Sequence, residues 1–226
     1  MNFTEQLAQW GIALTPAQLS QYECYYRMMI EWNERFNLTA VTDRDEVYAK
    51  HFADSLAGLP YMKGSVCDVG AGAGFPSLAL AIATPDVQYT LLDSVGKKVN
   101  FMQAVIDGLP LDNARAVHVR AEDAGRGEMR ATYDVVTARA VAPISTLLEY
   151  LCPLAKVGGR VVVYKTNRDE EALQGAKAAA TLGLRLAGGH DYTVDGAKRS
   201  ILVYDKVSPT PKQYPRGGNK PRTMPL

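Results

Sequence analysis

The chain has 226 residues, 47% of them hydrophobic, and 25 Lys and Arg against 24 Asp and Glu give a formal net charge of +1. That length suits one domain with an extension and a large core, and a charge so near zero excludes a histone-like polycation and leaves any nucleic-acid surface local. Cys24, Cys67 and Cys152 are odd in number and lack metal-ligand spacing, which fits a reduced cytoplasmic protein and excludes a disulfide scaffold.

Met1 to Trp10 is polar, without the apolar stretch of a leader, and no run approaches a membrane span. Thr15-Pro16 opens the first long predicted helix, with Thr15 as N-cap and Pro16 at the first helical position, running to about Phe36. Leu19, Tyr22, Tyr26, Met29, Trp32 (or Asn33) and Phe36 form one aromatic stripe at helical spacing. Packing on the main domain is expected of this stripe in preference to stacking on RNA bases. Asn37-Leu38-Thr39 breaks the helix, and Asp43 with Glu46 starts the next. His51 and Asp54 then share one helical face; they are either the border of an active site or a polar helical pair. Residues 1–62 read as a helical extension packed on a core spanning 63–206.

The core opens on Val66-Cys67-Asp68-Val69-Gly70-Ala71-Gly72-Ala73-Gly74-Phe75-Pro76. Ser65 to Val69 has the pattern of a buried parallel strand. Gly70, Gly72 and Gly74 permit a tight turn and close backbone approach to a ligand, and an apolar helical run follows Pro76. Such a unit points free N–H groups into a cleft at the strand's carboxyl end. The dinucleotide fingerprint fails at its third glycine, since the sixth position is Phe75 counted from Gly70 and Ser77 counted from Gly72. Asp93 ends the second strand about 20 residues on, where a ribose would be held. That acid fits either NAD or S-adenosylmethionine; the missing glycine and the added Asp68 favour S-adenosylmethionine, which has no pyrophosphate to seat.

Strands are predicted at Ser65–Val69, Val87–Leu92, Ala116–Val119, Asp134–Ala138, Arg160–Tyr164, Leu184–Gly189 and Ser200–Tyr204, with helices at Pro76–Ala83, Lys97–Asp107, Pro143–Leu151 and Asp169–Leu182. This alternation predicts an α/β, doubly wound, mostly parallel sheet. The hairpin signal Asp195-Gly196 makes the last strand antiparallel, the methyltransferase variant of the fold. The parallel strands end at Gly70, at Asp93, at Arg120 to Asp123, at Arg139 and at Lys165, the edge where ligands of such sheets bind. Glu122 also fits a plain N-terminal helix acid.

From 207 to 226 the chain holds Lys212, Arg216, Lys220 and Arg222, no acid, five prolines and two glycines. That composition excludes a helix or central strand. It describes either a basic nucleic-acid arm tied down by Met224-Pro225-Leu226 or a solvated tail.

These residues carry a resemblance that covers nearly the whole chain. Asn37-Leu38-Thr39-Ala40, His51-x-x-Asp54-Ser55-Leu56, the stretch from Asp68 to Pro76, Leu92-Asp93-Ser94-x-x-Lys97-Lys98, Ala121-Glu122, Tyr133 to Ala140, and Tyr214-Pro215-Arg216…Pro221…Pro225-Leu226 occur in order. The set resembles the bacterial ribosomal RNA small subunit methyltransferase G family, also called glucose-inhibited division protein B. The resemblance implies methyl transfer from S-adenosylmethionine to N7 of one guanine in 16S rRNA. It also implies that Gly70, Phe75, Ala121, Glu122 and Arg139 line the cofactor. With the residue-level reading, the cofactor side adds Gly72 and Asp93. The substrate side comprises His51, Asp54, Lys97, Lys165, Arg216 and Lys220, facing 16S rRNA or the small ribosomal subunit. No metal is expected and no catalytic residue is assigned, because guanine N7 bears no proton and its methylation is a task of alignment. Two departures stand out: the family commonly has glycine at Ser77, and usually a glycine and further lysines where Asn219, Thr223 and Met224 stand. Rival readings are a small-molecule or protein methyltransferase, which has no use for a basic tail, and a non-catalytic RNA-binding module.

Overall fold

Short aliphatic runs bounded by glycine and proline form the strands of one seven-stranded sheet in a computed structural model of the chain, which describes residues 2–139 and 142–226. Ala140, the last residue of one family-like stretch, lies outside the described residues. The strands are β1 (Ser65–Val69), β2 (Gln88–Asp93), β3 (Ala114–His118), β4 (Tyr133–Arg139), β5 (Ala155–Lys165), β6 (Leu184–Val194) and β7 (Ala197–Lys206). Their order is β3-β2-β1-β4-β5-β7-β6. Pairing is parallel from β3 to β5, and β7 runs antiparallel to both β5 and β6. The expected doubly wound sheet with an antiparallel last strand is therefore the fold. Strands β5, β6 and β7 are longer than their apolar centres suggested. Their outer parts pair through polar residues, such as Arg160 with Asp205 at 3.2 Å, and leave no hydrophobic alternation to read.

Alternate strand residues feed two cores. Val66, Leu91, Val135 and Val162 face one cluster, and Cys67, Leu92, Val136 and Val161 face the other, as the two-residue period of a strand requires. The first core is covered by α1 (Phe3–Gln9), α2 (Pro16–Asn33), the segment from α3 (Arg44–Val47) through a π-helical turn (Tyr48–Ala53) to α4 (Asp54–Leu56), α5 (Ser77–Ala83) and α6 (Gly96–Gly108). The second is covered by α7 (Ala121–Ala124), α8 (Ile144–Leu151) and α9 (Arg168–Leu182).

The extension shows where periodicity alone misleads. Helix α1 was not expected; a capping box between Asn2 and Glu5 opens it, and it buries Leu7. Helix α2 begins at the predicted Thr15 cap, completed by Gln18. It stops at Asn33 and not at Phe36, because the Asn33 side-chain oxygen accepts from the N–H groups of Leu38 and Thr39, at 2.8 and 3.0 Å, and folds the chain back. Its buried face is Tyr22, Tyr25 and Met29, with Tyr25 in the place expected for Tyr26. The Tyr22 hydroxyl donates to Ala79 O at 2.6 Å and that of Tyr25 to Ala73 O, so α2 grips the glycine turn and α5. Among the described residues no helix is long and apolar enough to cross a membrane.

The tail after β7 is docked and not extended. Tyr214 and Pro215 are buried, and Lys220–Thr223 forms a short helix, α10, against expectation. Pro221 is tolerated there because the first turn does not need its missing donor. Arg216 embraces Glu149 of α8: Nε meets Oε1 at 2.9 Å, Nη2 meets Oε2 at 2.6 Å, and the backbone N–H donates to Oε1 at 2.7 Å. Arg126 and Arg130 donate to the carbonyls of Pro215, Tyr214 and Thr210. The expectation that Arg216 is free for phosphate is thus corrected, while Lys212, Lys220 and Arg222 remain exposed. Because Glu149 is fully buried, Arg216→Ala should leave a buried carboxylate without its counter-charge. We expect a loss of about 3 kcal/mol, at the low end because the residue 216 N–H still reaches Glu149. Urea unfolding should show this loss, with Lys220→Ala close to wild type.

Candidate active site

The loop after β1 is tied to the loop after β2. Gly70 N and Ala71 N both donate to Leu92 O, at 2.8 and 3.1 Å. Asp93 Oδ2 accepts from Gly72 N at 2.9 Å, and Asp93 Oδ1 accepts from Val95 N at 2.9 Å. Asp93 therefore shapes both loops from within, and each oxygen keeps a second lone-pair direction for a ligand. The glycines divide their work. All of Gly70, Gly72 and Gly74 have positive φ. A Cβ on Gly72 would meet nothing closer than Gly70 O at 4.0 Å, so its outer side is open. A Cβ on Gly74 would overlap Leu78 and lie 2.6 Å from the Tyr25 hydroxyl, so Gly74 serves packing.

Below the turn, Asp68 faces Thr137 in register and is fully buried. Its Oδ2 accepts from Ser77 N at 3.1 Å. Oδ1, Ser77 Oγ and Thr137 Oγ1 find no hydrogen-bond partner among the described residues. Burial pushes the Asp68 carboxyl up to about 7. Asp68 anchors the start of α5 and exposes no surface to solvent.

Beside the turn the structure gathers residues assigned separately to cofactor and substrate. Arg139, at the end of β4, meets Asp54 Oδ2 at 2.7 Å through Nη1 and donates to Lys50 O at 3.1 Å. Its guanidinium lies 5.1 Å from the Phe75 ring centroid. Asp54 is buried, and its other oxygen accepts from the Tyr192 hydroxyl at 2.7 Å. The His51 ring stacks on Phe75 at 4.7 Å, with Nε2 2.9 Å from Thr39 Oγ1. Asp54 thus points inward, not toward a substrate surface. Thr39 and Tyr192 were not singled out from sequence. Thr39 stands in a quoted family-like stretch, whereas Tyr192 on the hairpin left no local signal.

The remaining candidates separate. Ala121 and Glu122 open α7 after β3 and are half-buried. Lys97 is exposed on the first turn of α6. Lys165 is half-buried, pairs with Glu171 at 3.0 Å and donates to Ala142 O, so it is not presented as a free cation. Arg216 and Lys220 belong to the docked tail. A cavity of about 1300 Å³ between α1, α2 and the β6–β7 hairpin is lined by none of these residues and is not this cleft. Among the described residues no group of three His, Cys, Asp or Glu could hold a metal ion. The open side of Gly72, flanked by the Asp93 carboxylate, fits S-adenosylmethionine, which offers ribose hydroxyls and no pyrophosphate.

Two measurements probe this geometry. Gly72→Ala should fold with a strain cost of roughly 1–2 kcal/mol and bind S-adenosylmethionine at least about tenfold more weakly by calorimetry. Gly74→Ala should instead lose about 3 kcal/mol or more of stability. Unchanged affinity in a folded Gly72→Ala protein would take the turn out of the site. The second measurement concerns pH. Burial, then the charge of Arg139, lowers the His51 pKa from 6.5 to about 4. Between those values the unfolded chain binds the proton and the folded chain does not. This contribution to stability is complete above 6.5 and is lost as pH falls toward 4. Asp68, raised to about 7, acts in the opposite sense over the same range, so the readout is the wild-type stability minus that of His51→Gln, which should be about 2 kcal/mol lower at pH 5 than at pH 7.5.

Comparison with known proteins agrees with the geometry. The family model described as rRNA small subunit methyltransferase G matches residues 18–189. The ribosomal RNA small subunit methyltransferase G of Staphylococcus saprophyticus is 43% identical over 234 residues, covering 99% of this chain and 96% of the relative. That of Bacillus subtilis is 44% identical, covering 100% of this chain and 98% of the relative. Among solved structures, a 16S rRNA (adenine(1408)-N(1))-methyltransferase variant from Catenulisporales acidiphilia superposes with a TM-score of 0.55 at 16% identity, over 70% of this chain and 92% of that one. A SAM-dependent methyltransferase from Aquifex aeolicus does so at 0.53 and 19%, over 72% and 93%. At such identities these two establish the fold. The chain belongs to the rRNA small subunit methyltransferase G family and is an S-adenosylmethionine-dependent rRNA methyltransferase.

Proposed function

We propose that this protein methylates N7 of a guanine in 16S rRNA, presented in the small ribosomal subunit or an assembly intermediate in the cytoplasm, by positioning alone. In this reading residues 63–206 are the catalytic domain, 1–62 wall its cleft and 207–226 strap it. The bound cofactor supplies an electrophilic methyl group on a sulfonium. Gly70 and Gly72 open the backbone to it, and Asp93 and Glu122 offer acceptors to its hydroxyls. Phe75 and Ala121 give apolar contact, and Arg139 offers charge to its carboxylate.

The observation that carries the reading is the state of the titratable groups near the turn. His51 is held neutral, stacked and hydrogen-bonded. Asp68 is sealed below the turn. Asp93 is bridged to two backbone N–H groups. These groups orient; none is set to remove a proton in a cleft. Guanine N7 is a bare lone pair and asks only for alignment with the methyl carbon and its leaving sulfur. An exocyclic amine or ring N1 would need a proton acceptor. No metal takes part in this scheme.

Small subunits from a strain lacking the enzyme, incubated with protein and S-adenosylmethionine, should gain one N7-methylguanosine by nucleoside mass spectrometry. The rate should be flat from pH 6.5 to 8.5, because neither His51 nor N7 titrates there and Asp68, which does, is buried beneath the turn away from the reacting atoms. A methyl on N1, N2 or an adenine, or a rate rising tenfold per pH unit, would overturn the proposal.

A further inference from the structure

Phe36 stands apart from the other aromatics of the extension. Tyr22 and Tyr25 are fully buried, and Trp32 packs against the core from its edge. Phe36 lies beyond the end of α2, half-exposed, and is not among the residues packed on that core. Its ring neighbours are Trp32, with centroids 5.7 Å apart, and Lys97 Nζ at 5.8 Å. The loop that carries it is held in place at Asn33, which binds the N–H groups of Leu38 and Thr39, and at Thr39, which meets His51 above Phe75. Phe36 therefore sits on the rim between the His51 group and the first turn of α6, just after Asp93. Lys97 is exposed on the same rim and Arg35, next to Phe36 in the chain, is exposed as well; among the described residues neither is in an ion pair.

The substrate chemistry calls for a platform at such a place. In an A-form duplex N7 faces a deep, narrow major groove that protein groups cannot enter. The target guanine must therefore be unpaired, and its neighbours lose their stacking partners. Proteins replace such stacking with aromatic side chains flanked by cations. We propose that Phe36 stacks an unpaired base of the substrate RNA beside the target guanine, with Arg35 and Lys97 on the adjoining phosphates. This rests on the rRNA substrate proposed above and gives the extension a direct part in binding it.

The test uses full-length protein and small subunits from a strain lacking the enzyme. Phe36→Ala and Phe36→Leu should each raise KM for the subunits about tenfold, within the range of a lost base–aromatic stack. S-adenosylmethionine affinity and Tm should stay at wild-type values, and Phe36→Tyr should restore KM. Lys97→Ala should make the salt dependence of binding shallower by about 0.7. If the wild type methylates the subunits and Phe36→Ala keeps wild-type KM, or loses Tm and cofactor affinity along with it, the platform is overturned and the substrate stands. A wild type that binds cofactor yet methylates neither subunits nor protein-free 16S rRNA overturns the substrate reading and the platform with it.

Discussion

The ion pair between Asp54 and Arg139 is the joint on which the site's geometry depends. It is a 2.7 Å contact between side chains that are 7% and 14% exposed. Charges so buried are tolerable only when their remaining valences are filled. Here Tyr192 takes the second Asp54 oxygen, and Lys50 O takes an Arg139 proton. The partners come from α4, β4 and β6, so one charge pair locks the helical extension, the parallel sheet and the antiparallel hairpin together. The π-helical turn just before Asp54 belongs to the same arrangement. A widened turn changes the angle between His51 and Asp54, so that one stacks on Phe75 while the other reaches inward. Removing either member of the pair leaves a buried charge, which costs about 3–5 kcal/mol.

Most of the tail's arrangement rests on the same logic. Glu149 is sealed in α8 and would be untenable without Arg216. Lys206 fills Leu182 O at 2.8 Å and Thr210 Oγ1 at 2.7 Å. Arg126 and Arg130, from the segment between α7 and β4, satisfy carbonyls that a proline-rich segment cannot pair within itself. Arg216, which looks like a phosphate ligand in the sequence, is here one of the groups that make an irregular segment dockable.

The glycine turn divides into a supported inner side and an open outer side. Tyr25, Leu78, Asp68 and Ser77 fill the inner side. Gly72 faces out, held by Asp93. A ligand meeting this turn finds backbone already fixed by the sheet, so little ordering remains to be done on binding.

By itself the sequence determined what short-range physics controls. Apolar runs cut by glycine and proline placed β1, α5 and the Asp93 strand end; the Thr15 cap placed α2, and Asp195-Gly196 turned the last hairpin. It also determined the family, because an ordered set of short stretches survives in one dimension. Tertiary structure alone decided the partners. Whether Arg139 meets Asp54, Arg216 meets Glu149, or Lys165 meets Glu171 depends on groups 85, 67 and 6 residues away whose charges look equally free in the sequence. Phe36 was indistinguishable from the buried stripe because periodicity counts spacing, and only the Asn33 turn takes it off the helix. Tyr192 left no mark at all, since a tyrosine on a hairpin gains its role solely from the carboxylate that the fold brings to its hydroxyl.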